Sequence, residues 1–223
     1  MCILGIETST RRGSVALVAD GRVLARAAHT EPNAHAERIL PLIDAIVVEA
    51  GLKRSAIERI AVGVGPGSFT GLRVGIALAQ GLGVGLGIDV FGIGSLQAMA
   101  AALPAASPGV RVPVLDARRG EVFVAGYAPE GTMVLSPCAI PREGLVGALA
   151  QLGPGAHVVL GEAAACLVDC YRSEETDLPD AAWTALVAAR CDAPGPAAEP
   201  HYVRGPDVVL PDLPQAPLSV EPR

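Results

Sequence analysis

The chain has 223 residues and a hydrophobic fraction of 51%, enough to bury a core of its own, and its net charge of −6 disfavours unaided binding to nucleic acid. Five cysteines without a CxxC pair favour buried thiols in a reducing cytosol over disulfides or a zinc site. Glu7 interrupts the first apolar run too early for a signal peptide, and glycines, Gln80 and Asp89 interrupt the long apolar stretch 74–110. We therefore expect a cytoplasmic protein without a membrane span.

Three short strands are predicted first, as apolar runs separated by turn-like residues, with Asp20-Gly21 as a hairpin signal between the second and third. The runs cover residues 3–6, 15–18 and 23–27. A first helix follows in HAERILPLIDAIVVEAG, where apolar residues recur three and four apart and Gly51 acts as a stop. Pro41 inside this pattern predicts a kink or a new first turn.

A strand at 60–64 leads into the glycine-rich segment GVGPGSFTGLRVG, and a helix at 70–86, a strand at 89–93 and a third helix capped by Ser95 follow. Exposed backbone N–H groups between a strand and a helix favour anions, so the segment fits a ligand or partner contact as well as a capped structural turn. It is neither a Walker loop nor a dinucleotide fingerprint, because GK[ST] and the GxGxxG spacing are both missing.

The helix after this segment carries a small residue at every fourth position. These residues are Gly71, Gly75, Ala79, Gly83 and Gly87. Each interior glycine costs about 1 kcal/mol of helix stability relative to alanine, so the stripe needs a packing reason. Two reasons stay open, namely close packing on the chain's own sheet and close contact with a helix of a second chain.

One pattern occurs twice, as ILGIETSTRRGSVALVADGRVL from residue 3 and as VPVLDARRGEVFVAGYAPEGTMVL from residue 112. In each copy a strand ends in an acid, Glu7 or Asp116, an Arg-Arg-Gly turn follows, and two further strands come after it. The repeat predicts two similar α/β halves joined near 103–110. Further elements of the second half are predicted at 143–151, 157–160, 162–170 and 180–191, and many prolines from residue 192 onward predict an extended tail.

Two acids that face each other across a cleft would suit metal–phosphate chemistry, with Thr8 and Ser9 as hydrogen-bond donors. The bulky arginine pairs favour exposed turns instead, because a hairpin that grips phosphate needs small residues. Both interpretations of Glu7 and Asp116 stay open at this point. No HExxH motif is present, and His35 is expected to be an ordinary residue at a helix start.

Several motifs together resemble the TsaB family, formerly called YeaZ. They are ILGIETST, HAERILPLI, GVGPGSFTGLRVGIALAQGL, DARRGEVF and PHYVR. The family motif loop consists of Gly65, Pro66, Gly67, Ser68, Phe69, Thr70, Gly71 and Arg73. The resemblance implies an α/β fold of two tandem domains of the actin-like, ribonuclease-H-like ATPase superfamily, with mixed sheets flanked by helices. The expected units are an N-terminal domain at 1–105, a smaller second domain at 106–192 and a Pro-rich tail at 193–223.

The same resemblance implies a non-catalytic scaffold or regulatory subunit that is required for threonylcarbamoyl transfer to the adenosine beside the tRNA anticodon. The catalytic subunit of the family is a paralogue, TsaD, the ATPase TsaE joins the two, and tRNA is bound only through the complex. TsaD carries a metal-binding HxxxH motif, and its two histidine positions match Ser95 and Met99 here, which are poor ligands for iron or zinc. We expect no metal and no cofactor of this chain's own. ATP or ADP is expected at a shared interface, near Glu7, Thr8, Ser9 and Asp116.

The family forms its heterodimer through helices of the N-terminal domain, which implies a partner interface on both predicted helices. Its expected residues are Ile39, Leu42, Ile43, Ile46, Leu72, Gly75, Ile76, Ala79 and Gly83. A chain without its partner is expected to form a homodimer through the same surface. The alternative function is a free-standing ATPase or kinase of the same superfamily, motivated by Glu7, Asp116 and the glycine loop. A glycoprotease-like peptidase is disfavoured because HxxxH is missing.

Overall fold

Two mixed sheets carry the fold of this chain in the computed structural model, which describes residues 1–153, 155, 157–165, 168, 170–193 and 195–203. The first sheet has the order β3-β2-β1-β4-β5. Its strands are β1 (Cys2–Glu7), β2 (Gly13–Ala19), β3 (Arg22–His29), β4 (Arg59–Gly65) and β5 (Asp89–Gly94). Strands β1, β2 and β3 form an antiparallel meander, and β4 and β5 continue the sheet parallel to β1.

The predicted hairpin between β2 and β3 is confirmed, because Asp20 and Gly21 have φ angles of 51° and 75° and occupy the left-handed region that such a tight turn requires. Helices α1 (His35–Glu49) and α2 (Phe69–Leu86) cover one face of the first sheet with a shared apolar core. α1 runs through Pro41 as one helix, so Pro41 does not mark a new first turn, and the alternative of a kink stays a prediction. Its apolar face packs on the sheet, and this packing outweighs the one backbone hydrogen bond that proline cannot make.

The second sheet has the order β8-β7-β6-β9, and its strands repeat the arrangement β3-β2-β1-β4 of the first. They are β6 (Val110–Arg118), β7 (Glu121–Tyr127), β8 (Met133–Pro141) and β9 (His157–Leu160). Helix α3 (Ser95–Ala101) packs on one face of this sheet, and α4 (Leu145–Gln151) packs on the other. The internal duplication read from the sequence is thereby confirmed at the level of strand order.

The chain returns to the first sheet after the second. A 3-10 turn at Glu162–Ala164 stands where a longer helix over 162–170 is predicted, and residues 166, 167 and 169 of that prediction lie outside the described residues. After α5 (Glu174–Asp177), helix α6 (Ala181–Ala188) packs on the face of the first sheet opposite α1 and α2. The domain boundaries 1–105 and 106–192 stay a prediction. Helix α6 belongs to the second range in the sequence but packs on the first sheet.

Residues 195–203, here called the strap, pass from α6 around β5 to α2. Gly92 N donates to Pro196 O at 2.9 Å, Gln80 Nε2 donates to Ala198 O at 3.0 Å, and His201 N donates to Val64 O at 2.7 Å. The strap is the described part of the predicted tail 193–223, together with residue 193, whereas residue 194 and residues 204–223 lie outside the described residues. Its contacts cover the edge strand β5 and lead the chain back to the glycine loop.

One helix in the described part of the chain, α2, has the length and apolar composition to cross a membrane. The core helices of soluble proteins pass the same test, and one face of α2 is buried against the first sheet.

Candidate functional site

The glycine loop is pressed against the turn that follows β1. Ser68 N donates to Ser9 O at 2.7 Å, and a side-chain carbon on Gly67 would overlap that carbonyl. Ser68 also caps α2, because its Oγ accepts a hydrogen bond from Gly71 N at 3.2 Å. The loop is therefore a capped structural turn whose backbone contacts its own chain.

The glycine stripe of α2 faces the chain's own fold. Thr8 Oγ1 donates to Gly71 O at 2.8 Å, and side-chain carbons added at Gly71 or Gly75 would overlap Thr8. Gly83 is likewise closed off, because a side-chain carbon there would overlap Val90. Gly81, on another face of the helix, has open space around it. Close packing on the chain's own fold therefore explains Gly71, Gly75 and Gly83.

Glu7 ends β1 in a sealed polar cluster with the residues around it. Its side chain is 0% exposed, its Oε1 accepts from Ser9 N at 2.8 Å, and its Oε2 accepts from Ser95 Oγ at 3.2 Å. Ser95 Oγ in turn accepts from Gly65 N at 3.2 Å, so the cluster joins the carboxyl ends of β1 and β4 to the start of α3. Burial raises the pKa of Glu7 despite the hydrogen bonds from Ser9 and Ser95 that favour its charged form.

Asp116 stands at the equivalent strand end of the second sheet in a different environment. Its side chain is 38% exposed, and its Oδ1 accepts from Arg142 at 2.9 Å and from Arg118 N at 3.0 Å. The structure thus brings Glu7, Thr8 and Ser9 together with the glycine loop, and it places Asp116 on the surface beside Arg142. The two acids therefore differ in environment, because Glu7 is sealed from solvent and Asp116 is partly exposed and ion-paired.

The two positions that match the metal-binding motif of the paralogue do not fit a metal centre. The hydroxyl of Ser95 is engaged with Glu7 and Gly65, and Met99 is 1% exposed in the apolar cluster around Leu96 and Leu115. A thioether in an apolar core and an occupied hydroxyl do not replace two imidazoles. Within the described residues, no group of three or more His, Cys, Asp or Glu side chains is placed to hold a metal ion.

The arginines of the first Arg-Arg-Gly turn connect the start of the chain to residues that come after the second sheet. Arg11 forms a two-pronged ion pair with Glu162, and Arg12 binds Asp180 at 3.1 Å as well as the backbone oxygen of Leu178 at 3.0 Å. The sequence predicts exposed turns for these arginines and gives no hint of Glu162 or Asp180, which lie 151 and 168 residues away along the chain. Both side chains of the Arg12 pair are largely buried, at 12% and 13% exposed.

Replacing Arg12 by alanine is expected to lower the free energy of unfolding by about 2 kcal/mol, because it leaves the largely buried Asp180 without its partner. Arg26→Ala is the matched control, since Arg26 forms an exposed ion pair with Glu175 at 3.1 Å and Glu175 lies close in sequence to Asp180. That change is expected to cost about 0.5 kcal/mol or less. Urea unfolding of both variants measures the difference, and equal losses would contradict a special role for Arg12.

Two histidines fasten the start of α1. His35 Nδ1 lies 3.1 Å from His29 Nε2, and His35 Nε2 lies 2.9 Å from Thr10 O. Because a carbonyl only accepts, His35 donates from Nε2 and accepts at Nδ1 when both rings are neutral. Burial and the neighbouring His35 lower the pKa of His29. His35 is therefore a joint between α1 and the turn after β1, which its position in the sequence did not predict.

The residues expected to form the partner interface lie mostly inside this chain's own fold. Leu42 is partly buried. The other eight are buried, namely Ile39, Ile43, Ile46, Leu72, Gly75, Ile76, Ala79 and Gly83. They pack against the first sheet, so as placed here they offer no surface to a second protein. The expected surface has to be redrawn from exposed residues of the same two helices. We select the uncharged residues Ala45 and Val48 on α1 and Ala77, Gly81 and Val84 on α2, here called the α1/α2 face.

The sequence and the fold of this chain are similar to those of several known proteins. A family model described as TsaD, tRNA N6-adenosine threonylcarbamoyltransferase, matches residues 23–154, which is more than half of the chain. The chain is 39% identical over 130 residues to the tRNA threonylcarbamoyladenosine biosynthesis protein TsaB of Escherichia coli, a match that covers 57% of this chain and 55% of that protein. The chain thus spans about half the length of that curated relative.

Two further relatives match along nearly their whole length. An uncharacterised protein of Mycobacterium tuberculosis is 34% identical over 208 residues, with 92% of each chain covered. The solved structure of YeaZ from Pseudomonas aeruginosa is similar with a TM-score of 0.74 and 29% identity, and the match covers 90% of this chain and 99% of that one. The fold of this chain is therefore similar to that of the YeaZ structure over nearly its whole length.

Proposed function

The chain belongs to the TsaB (YeaZ) family, and from this premise we propose that it is a non-catalytic subunit required for threonylcarbamoyl transfer to the adenosine beside the tRNA anticodon. Its fold is the duplicated, actin-like α/β fold of that family, with mixed sheets flanked by helices. The catalytic subunit in this proposal is a TsaD-like paralogue, and a TsaE-like ATPase completes the assembly. The whole operates in the cytoplasm.

The observation that carries this proposal is that the chain's own side chains fill the place where catalytic groups would stand. In an α/β sheet, ligands bind beyond the carboxyl ends of the strands where the strand order reverses, which here is the crevice between β1 and β4. That crevice holds the buried Glu7 carboxyl, and the glycine loop closes over it through Ser9 and Thr8. A sealed acid that belongs to no metal-binding cluster among the described residues supports a structural rather than a chemical role.

A docking role is supported by the α1/α2 face. α1 and α2 lie side by side, and the face joins alanine, glycine and valine residues, with Val48 78% exposed and Val84 86% exposed. An uncharged surface of small residues on adjoining helices suits a closely packed helix pair of a second protein. We propose that the TsaD-like paralogue docks there, and that the isolated chain forms a homodimer through the same face. Any ATP or ADP is held at interfaces of the assembly, and tRNA is bound through the complex.

Reconstitution tests this function. The purified chain, a TsaD-like paralogue from the same organism and a TsaE-like ATPase are incubated singly and in combination with tRNA, ATP and a threonylcarbamoyl donor, and modified adenosine is measured by mass spectrometry. Modification is expected only when the chain and the paralogue are both present. Turnover by the chain alone, or full turnover by the paralogue and the ATPase without the chain, would contradict the proposal.

A further inference from the structure

A cluster of two aromatic rings and one arginine stands at the start of α2. Phe69 and Arg73 come from the first turns of the helix, and Tyr202 comes from the strap. The rings of Phe69 and Tyr202 have centroids 5.3 Å apart, and the Arg73 guanidinium carbon lies 3.7 Å from the centroid of Phe69. Arg73 Nε also donates to the Tyr202 hydroxyl at 3.1 Å. Two of the motifs that carry the family resemblance, 130 residues apart, thus meet in one aromatic–arginine cluster.

The cluster exposes side chains that the core would be expected to use. Phe69 is 46% exposed and Tyr202 is 44% exposed, in a chain that has three phenylalanines, three tyrosines and one tryptophan. Phe91, Phe123 and Tyr127 are buried. Phe69 and Tyr202 are therefore stacked on the surface in a chain with few rings to fill its core. Tyrosine and arginine are among the residues that dominate the binding energy of protein interfaces.

The strap fixes the cluster in place. His201 N donates to Val64 O at 2.7 Å directly beside Tyr202, and Gln80 Nε2 donates to Ala198 O at 3.0 Å further back along the strap. The rotamer of Arg73 is fixed in turn by the Phe69 ring and the Tyr202 hydroxyl. Side chains that are held in place before binding lose little entropy when a partner arrives.

The charge of Arg73 has no carboxylate partner in the described part of the chain. Arginines that do form ion pairs with carboxylates there include Arg11, Arg12, Arg26, Arg38, Arg54, Arg142 and Arg172. Among the described residues, the Arg73 guanidinium contacts the Phe69 ring and the Tyr202 hydroxyl. The two terminal nitrogens of its guanidinium are thus left to receive a planar, negatively charged group in two-pronged fashion.

The cluster continues the α1/α2 face. Arg73, Ala77 and Gly81 follow one another at four-residue intervals along the exposed side of α2, so a protein that lies along this helix reaches Arg73 at its N-terminal end. We propose that the aromatic–arginine cluster anchors an Asp or Glu side chain of the TsaD-like protein that docks on the α1/α2 face. The inference rests on the proposed function for its partner. A protein is favoured over RNA because the chain carries a net charge of −6 and because the five residues of the α1/α2 face offer no positive charge to a phosphate backbone.

Binding measurements with the TsaD-like paralogue of the same organism test the anchor. Biolayer interferometry at low and at moderate salt compares the wild-type chain with Arg73→Ala, Arg73→Lys and Tyr202→Phe. Arg73→Ala is expected to weaken binding about tenfold at low salt and to reduce the dependence of the dissociation constant on salt. Arg73→Lys keeps the charge without the planar fork, and its affinity is expected to lie between those of the wild type and Arg73→Ala. Tyr202→Phe is expected to weaken binding a few-fold, because Arg73 loses the hydroxyl that orients it.

Two matched controls separate the anchor from general surface effects. Arg22→Ala removes an exposed arginine from the far edge of the first sheet, and Tyr171→Ala removes a tyrosine that is 41% exposed. Both are expected to bind as the wild type does, and circular dichroism checks that every variant is folded. A wild-type chain that does not bind the paralogue overturns the proposed function itself. If the wild type binds and Arg73→Ala and Tyr202→Phe bind equally well, the anchor alone is overturned. Loss of tRNA binding by the assembled complex with unchanged protein binding also overturns it, in favour of phosphate recognition.

Discussion

Replacing Gly75 by leucine is expected to prevent stable folding, whereas the same change at Gly81 is expected to leave the fold intact and weaken docking of the partner. A side chain at Gly75 would overlap Thr8, whose hydroxyl also bonds Gly71 O at 2.8 Å, so α2 would have to move off the sheet. Overpacking of a close contact costs about 3 kcal/mol or more, a large share of the stability of an ordinary domain. Gly81 has open space around it, and leucine there improves helix propensity by about 1 kcal/mol.

Soluble yield and urea unfolding measure the first half of this prediction, and co-purification with the TsaD-like paralogue measures the second. Gly81→Ala is the control for the second half, because it changes helix propensity without adding bulk to the face. A Gly75→Leu chain that is folded but fails to bind the paralogue would restore the interface first expected from the sequence. A Gly81→Leu chain that binds as tightly as the wild type would remove Gly81 from the docking face.

The residues first expected at the partner interface show the limit of predicting a contact surface from the spacing of apolar residues along a helix. Apolar residues three and four apart identify the side of a helix that faces something apolar, and Ile39, Ile43 and Ile46 do face an apolar core. The pattern is the same whether that core is the chain's own or is completed by a partner. Glycine spacing has the same limit, because it predicts a close approach of another backbone without saying which one. In this chain the close neighbour of Gly71 and Gly75 is Thr8.

The repeated three-strand unit was within reach of the sequence because each strand carries its own apolar run and each tight turn its own signal. The structure adds what the repeat did not specify, namely the matching orders β3-β2-β1-β4 and β8-β7-β6-β9. The pairing of Arg11 with Glu162 and of Tyr202 with Phe69 was out of reach, because more than a hundred residues separate the partners and no local pattern links them. Glu7 and Asp116 hold equivalent positions in the repeat, but the repeat did not predict how much of each side chain is exposed. The glycine loop buries Glu7, whereas Asp116 stays exposed beside Arg142.

The Glu7→Gln variant is expected to be more stable than the wild type above pH 4.5 and equally stable below it. The unfolded chain ionises Glu7 near its ordinary pKa of 4.5, and burial raises the pKa in the folded chain. The folded state therefore holds a proton that the unfolded state has released, and wild-type stability falls as the pH rises from 4.5 through the raised pKa. Within that window the loss is at most about 1.4 kcal/mol per pH unit. Glutamine titrates nowhere in this range, and its amide can still accept from Ser9 N and donate to Ser95 Oγ.

Urea unfolding of both proteins between pH 4 and 8 measures this difference, and His29, whose pKa is lowered, titrates in both proteins and cancels. Asp116→Asn is the matched control at the equivalent strand end, where the exposed pair with Arg142 is worth about 0.5 kcal/mol or less. A stability difference between wild type and Glu7→Gln that does not vary with pH would mean that Glu7 ionises normally. The same variant separates the two functions, because an ATPase or kinase would need this carboxylate for magnesium–phosphate chemistry. A non-catalytic subunit carrying glutamine at this position is expected to support tRNA modification by the reconstituted complex at the wild-type rate.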